Sequence, residues 1–330
     1  MFPTGARHKM NDNNPLRTWF TSLGMGGTGH SSVKLSLNLI HESFMQARRA
    51  VETDLPELAE ISNLTIGPKT HRLNSRLYVP MAAGHGAGPG IVFFHGGGFV
   101  LGDLDSHDVI CRRLADSARC RLLAIDYRRA PDHKFPAAHD DAMAAWTWLI
   151  EHGEAIGFRA DKIAVAGDSA GGNLAAFLAQ QTPKQDLQAP AFQLLLYPLL
   201  QFSDIRTKRR RWQEGGTFLS PQLFDYFRDA YLADPADRMD ERMSPLFAAP
   251  DNFKGLCPAH LVLCGWDPLK DEGFAYADKL AAHGVAVTVR EHADMVHGFM
   301  NLTSVSTSAR DAIREAGLKI AAAFGTRKIP

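Results

Sequence analysis

Gly167-Asp168-Ser169-Ala170-Gly171 sets a serine between two glycines, directly after the apolar run KIAVAG (162–167) and directly before NLAAFLA. A serine hydroxyl attacks a carbonyl carbon only when a base takes its proton and a third group orients that base. The G-x-S-x-G pattern between a strand and a helix supplies the nucleophile: a sharp turn exposes Oγ, and the flanking glycines leave room for it. A bare match arises by chance in any Gly/Ser loop, where it is only a structural turn. The strand before it and the helix after it make Ser169 the expected nucleophile.

The partners should follow in the order acid, then histidine. Asp267 comes directly after the apolar run HLVLCGW (260–266) and before a proline. That puts it at the carboxyl end of a strand, where ligand-binding groups of open α/β sheets collect, and makes it the expected acid. Asp271 and Glu272 read instead as first-turn helix residues that complement the dipole. Asp294 is too close to His297 in sequence to be the obvious partner. His283 ends a helix before Gly284, where a cation suits the helix terminus, and His292 belongs to a strand end. His297, in DMVHGFM, follows the last strand in a loop and is the base by elimination.

His95-Gly96-Gly97-Gly98 follows the apolar residues 91–94. Such a run is often no more than a turn. A tetrahedral intermediate, however, puts negative charge on the former carbonyl oxygen, and losing one N–H donor to it typically costs ~3 kcal/mol. One donor comes from the residue after the nucleophile, Ala170, and others from the stretch His95 to Gly98, where glycine lets the backbone turn its N–H groups inward. His95 itself reads as a loop-fixing hydrogen bonder rather than a second base.

Positioning these residues requires a regular scaffold. Short apolar runs at 59–66, 76–80, 91–94, 121–127, 162–167, 191–198, 260–266 and 286–292 read as strands. Helical stretches at about 107–118, 137–152, 170–181 and 271–283, and after Ser306, alternate with them. The fold class is therefore α/β, with a mostly parallel central sheet flanked by helices. Residues 200–250 break the rhythm with helical spacing and no strand; Ser220-Pro221 is a good N-cap and first-turn pair for a helix through about Tyr231. The expected organisation is 1–58 as the N-terminal part of a helical cap, 59–199 as the first part of the core, 200–250 as the cap insertion and 251–330 as the rest of the core. Trp212, Phe218, Phe224 and Phe227 either line an acyl pocket or hold the cap to the body.

Composition removes other classes. The 36 basic and 36 acidic residues balance, so no global field favours nucleic acid or an anionic membrane. The stretch RTKRRR (206–211) reads as a solvated helix face, and GMGGTG (24–29), with no strand before it, as a loop rather than a dinucleotide site. No metal motif is present, and neither a metal nor another cofactor is expected. The four cysteines lack CxxC spacing and read as buried free thiols. The N-terminus has no apolar leader and no run reaches the ~18 residues of a membrane span, so a cytoplasmic protein is expected.

Five stretches carry a family resemblance: FFHGGGFVLGDLDSHD, DYRRAPDHKFPAAHDDA, VAGDSAGGNLA, CGWDPLKDEG and VHGF. Over about residues 59–325 the chain resembles the hormone-sensitive-lipase-like (family IV) carboxylesterases of the α/β-hydrolase superfamily. The resemblance implies an α/β-hydrolase fold under a helical cap and hydrolysis of short- to medium-chain acyl esters. It implies Ser169, Asp267 and His297 as the triad, Gly97, Gly98 and Ala170 as oxyanion donors, and Gly96 as a shaper of the loop. Asp132 stands where the family usually has glutamate, and CGW before Asp267 is less usual. The expected partner is a small-molecule ester, and the reading leaves room for a homodimer. The competing readings are an amidase or peptidase with the same triad, and a noncatalytic ligand-binding protein on the same fold, which would predict a missing triad member.

Overall fold

The apolar runs become strands of one sheet in the computed structural model, which describes residues 54–203 and 219–326. Residues 1–53 of the expected N-terminal cap part with the GMGGTG stretch, the basic run 206–211, Trp212 and Phe218 lie outside the described residues, and Leu58, the last residue of that part, opens a strand instead. The strands are β1 (Leu58–Ile66), β2 (Leu73–Pro80), β3 (Gly88–Phe94), β4 (Arg121–Asp126), β5 (Phe158–Asp168), β6 (Phe192–Leu196), β7 (Ala259–Trp266) and β8 (Val287–Val296). They pair in the order β1-β2-β4-β3-β5-β6-β7-β8. From β4 to β8 all pairs are parallel, while β2 runs antiparallel to both its neighbours.

Parallel strands covered on both faces need apolar residues at every position, which is why β3 carries an unbroken IVFF. Val92 and Phe94 join one core with Leu123, Ile125 and Val165. Ile91 and Phe93, pointing the other way, join a second core with Leu122, Ala164 and Val262. Burying each such side chain contributes roughly 2 kcal/mol relative to leaving it in water. The helices are α1 (Asp108–Ala118), α2 (Ala137–His152), α3 (Ala170–Gln181), α4 (Pro221–Tyr231), α5 (Lys270–Ala282) and α6 (Thr307–Phe324). α1 and α6 cover the second core, and α2, α3 and α5 cover the first, where α4 also packs.

The cap insertion contains no strand among its described residues. Ser220 Oγ accepts the N–H of Leu223 at 3.2 Å and Pro221 opens the helix, as the Ser-Pro pair predicts. Short 3₁₀ turns at Pro235–Met239, Pro245–Phe247 and Pro250–Phe253 then lead back to the sheet.

One reading needs correction and another needs extension. The last strand does not stop near residue 292 but runs to Val296, with a register shift opposite Cys264 and Trp266. A Cβ on Gly265 would lie 1.8 Å from Ala293 O, so the glycine in CGW is what lets the bulged backbone pass. The continuation carries β8, at the edge of the sheet, up to His297 itself. Glu272 is not simply a dipole residue either. Its buried carboxylate accepts the N–H of Leu200 at 2.6 Å and of Gln201 Nε2 at 3.0 Å, pinning the chain where it leaves the sheet for the cap.

All four cysteines are free, and Cys111, Cys120 and Cys264 are buried. Burial pushes the Cys120 thiol up to about 12, which keeps it unreactive. Among the described residues no helix is long and apolar enough to cross a membrane.

Candidate active site

β5 ends at Asp168 and α3 begins at Ala170, so Ser169 alone makes the turn between them. Its φ of 54° lies in the left-handed region, which costs a non-glycine residue of order 1–3 kcal/mol and persists only where the surroundings impose it. Here they do. Ser169 N–H donates to Leu196 O at 2.9 Å, and its carbonyl accepts the N–H groups of Asn173 at 3.1 Å and Leu199 at 3.0 Å. A Cβ on Gly171 would lie 1.9 Å from Phe94 O, so the second motif glycine lets α3 press against β3.

The structure brings the three expected residues together from three places in the chain. Asp267 follows β7; its Oδ1 accepts Leu269 N–H at 2.8 Å and its Oδ2 faces His297 Nδ1 at 2.8 Å. A carboxylate only accepts, so the neutral imidazole carries its proton on Nδ1. That leaves the lone pair of Nε2 toward Ser169, whose Oγ–H donates to it at 2.9 Å. Both Asp267 and His297 are buried, and the edge of the Tyr197 ring packs against the imidazole with centroids 5.1 Å apart. The other histidines are elsewhere: His283 Nδ1–H donates to Lys279 O at 2.8 Å, and the His292 ring packs against Phe299.

The glycine loop approaches the same hydroxyl from β3. Gly97 and Gly98 have φ of 118° and 63°, and a Cβ on Gly98 would lie 2.3 Å from the Phe227 ring. Gly96 N–H donates to Asp168 Oδ1 at 2.8 Å, so it is occupied. The N–H groups of Gly97 and Gly98 have no protein acceptor among the described residues, and that of Ala170 opens α3, where the helix dipole adds positive potential. His95 sits behind the loop. Its Nδ1–H donates to Gly96 O at 2.8 Å, its carbonyl accepts the Tyr127 hydroxyl at 2.6 Å, and its ring stacks between Tyr127 and His107. Burial lowers its pKa to about 3, so it stays a neutral donor and cannot serve as a base at ordinary pH.

Asp168 and His107 were not singled out in the sequence. Asp168 is the variable position of the motif, yet its carboxylate is buried, holds Gly96 N–H and lies 3.2 Å from His107 Nε2. A carboxylate placed directly after the apolar run 163–167 was the available signal.

Ser169 and His297 open into a narrow apolar cavity of about 50 Å³. Leu223, Phe224 and Phe227, on one face of α4, wall it together with Leu199, Phe202, Leu219 and Leu269. Phe224 thus stands where a pocket residue should. No cluster of metal-ligating side chains occurs among the described residues.

The sequence matches the alpha/beta hydrolase fold family over residues 91–301. It is 40% identical over 256 residues to an ethyl acetate hydrolase of Pseudomonas putida, an alignment spanning 77% of this chain and 80% of that protein. An ester hydrolase from the metagenome of Lake Arreo, solved with a bipyridine phosphonate derivative, superposes with a TM-score of 0.85 at 37% identity, covering 94% of this chain and 97% of the other. An esterase from Pyrobaculum calidifontis superposes at 0.82 with 31% identity, covering 93% and 97%. With the serine turn, the glycine loop and the sheet order all in place, the chain belongs to the α/β-hydrolase-fold family, in its hormone-sensitive-lipase-like branch of carboxylic ester hydrolases.

Proposed function

We infer that the protein is a serine carboxylesterase that cleaves short- to medium-chain acyl esters through an acyl-enzyme. Ser169 Oγ attacks the ester carbonyl carbon as His297 Nε2 takes its proton. Asp267 holds the imidazole by Nδ1 and balances the imidazolium charge that forms. The carbonyl oxygen becomes an oxyanion facing the N–H groups of Gly97, Gly98 and Ala170. Collapse of the tetrahedral intermediate breaks the C–O bond to the alcohol, which leaves with the proton from Nε2. Water, deprotonated by the same nitrogen, then attacks the acyl-serine, and a second collapse breaks the acyl–Oγ bond, returns the Nε2 proton to Ser169 and releases the carboxylic acid.

The observation that carries this reading is the buried hydrogen-bond chain from Asp267 through His297 to Ser169, at 2.8 Å and 2.9 Å. The apolar walls suit an acyl chain, and the family resemblance sets the expected range at about two to eight carbons, with long-chain triglycerides poor. The described part of the insertion closes over the acyl chain, with α4 as one wall. The name of the Pseudomonas putida relative makes acetate esters the first substrates to try.

The test is a series of p-nitrophenyl esters from acetate to laurate beside the matching anilides, with intact-mass detection of a phosphonate adduct. Wild type should turn over the short esters far faster than the anilides and gain one adduct. Ser169→Ala should do neither while remaining folded. Turnover by the mutant, or an adduct elsewhere, would overturn the assignment.

A further inference from the structure

Asn173 lies one turn beyond Ser169 on α3, wholly buried, and its amide joins three parts of the chain. Nδ2 donates to Leu199 O at 2.9 Å and to Met243 O at 2.8 Å. Leu199 is the last residue before the insertion, and Met243 lies in its last part. Asn173 Oδ1 therefore faces His139 Nε2, 3.0 Å away on α2, and Arg242 O lies 3.1 Å from the same nitrogen. With two acceptors before it, Nε2 must carry the imidazole proton, which leaves Nδ1 bare. The hydroxyl of Tyr231 donates to that nitrogen at 2.9 Å. Burial holds His139 neutral, with its pKa lowered to about 4, so the direction of every bond in the relay is settled at neutral pH.

Tyr231 is the last residue of α4, the helix whose Phe224 and Phe227 wall the cavity. Its ring stacks on Phe99, directly after Gly98, at 4.1 Å between centroids. We propose that Tyr231, His139 and Asn173 form a polar clasp that holds the cap to the helix carrying the nucleophile, and that this clasp sets the acyl length the enzyme accepts. A helix moves as a rigid element, so a displacement at Tyr231 is passed to Phe227 one turn away and changes the width of the cavity. Apolar packing has no direction and would tolerate α4 sliding, and beside it Phe135 N–H donates to Tyr231 O at 2.9 Å at the backbone. The relay adds direction, since any shift that separates Tyr231 from His139 leaves a buried imidazole nitrogen unpaired.

The selectivity part of this inference rests on the esterase reading, and the experiment keeps the two apart. Tyr231→Phe keeps the ring and its stack and removes only the hydroxyl. With p-nitrophenyl acetate, kcat should stay within about twofold of wild type. The octanoate-to-acetate ratio of kcat/KM should rise about three- to tenfold, the factor that one lost buried hydrogen bond commands, chiefly through a lower KM for octanoate. Hydrogen exchange of α4 should accelerate while that of α6 does not. His139→Asn removes the same link from the core side and should give the same pattern if Tyr231→Phe folds poorly. A variant that melts lower but keeps both the wild-type ratio and α4 protection would overturn the clasp and leave a structural contact. If wild type cleaves no ester, the functional reading fails, and the exchange rates of α4 still decide for or against the clasp.

Discussion

The carboxylate of Asp168 accepts the N–H of Gly96 at 2.8 Å, so the residue before Ser169 and the first glycine of the opposing loop are one bond apart. A Cβ on Gly96 would lie 2.5 Å from the other Asp168 oxygen, which explains why the loop begins with glycine. The bond fixes the distance between the proposed nucleophile and the proposed oxyanion donors. Asp168→Asn weakens a charge-assisted bond worth about 1.5–3 kcal/mol, and because it acts on the donors it should appear in kcat as a loss of about 10- to 100-fold. KM for p-nitrophenyl acetate should change little. Steady-state kinetics checks this, and a loss confined to KM would assign Asp168 to substrate binding instead.

Asp267→Asn should lower kcat by about 10⁴-fold, because an amide cannot hold Nδ1–H as a carboxylate does and no longer balances the imidazolium. Asp271→Asn, in the first turn of α5, should leave the chemistry nearly intact. Parallel kinetics on the two variants discriminate them, and reversed effects would mean the acid is misassigned.

Phe224→Ala should move the acyl-length optimum toward longer or bulkier groups while acetate hydrolysis survives. The ring is buried beside Phe202, with centroids 5.2 Å apart, so its removal also costs stability of about 3–5 kcal/mol. Chain-length profiles at a temperature well below the mutant's Tm give the answer. A profile identical to wild type would mean that Phe202 closes the hole or that the ring only fastens the cap.

Stability should fall with acidity in a defined window. Burial lowers the pKa values of His139 and His260 to about 4, below the ordinary imidazole value of ~6.5 in the unfolded chain. Between those limits the unfolded state takes up protons that the native state refuses, so unfolding becomes easier as pH drops from about 6.5 to about 4. Each histidine accounts for up to ~3 kcal/mol across the window and contributes no slope above it. Urea midpoints at pH 7, 5.5 and 4.5 measure the fall. His260→Gln should flatten it, and an unchanged slope would assign the acid sensitivity to other groups.

The parallel core was legible because buried parallel strands have to be apolar at every position, and Ile91–Phe94 and Leu261–Cys264 are. Ser169 and Gly96–Gly98 were legible because a strained turn and a close backbone approach restrict residue type. Glu272 is in the first turn as expected, but its buried bonds were missed although the spacing held the clue: it shares a helix face with Tyr276 and Leu280, both buried, whereas Asp271 does not. His139 and Asn173 gave no such sign. Their partners are Leu199, just before the insertion, and Tyr231, Arg242 and Met243 within it, and no local pattern encodes that meeting. The extension of β8 depended on Gly265 in a neighbouring strand, which likewise only the pairing reveals.

Ser169 hangs from β5, which has neighbours on both sides, but His297 hangs from β8, which among the described residues pairs only with β7. Outer strands open more readily than inner ones, so the imidazole is tethered by the less durable part of the sheet. Catalytic lifetime and structural lifetime are therefore separate quantities in this molecule. Under slow warming the hydroxyl would lose its base while the inner strands are still paired. Storage life would then be governed by the β7–β8 ladder, and bracing that ladder would prolong activity more than enlarging the core.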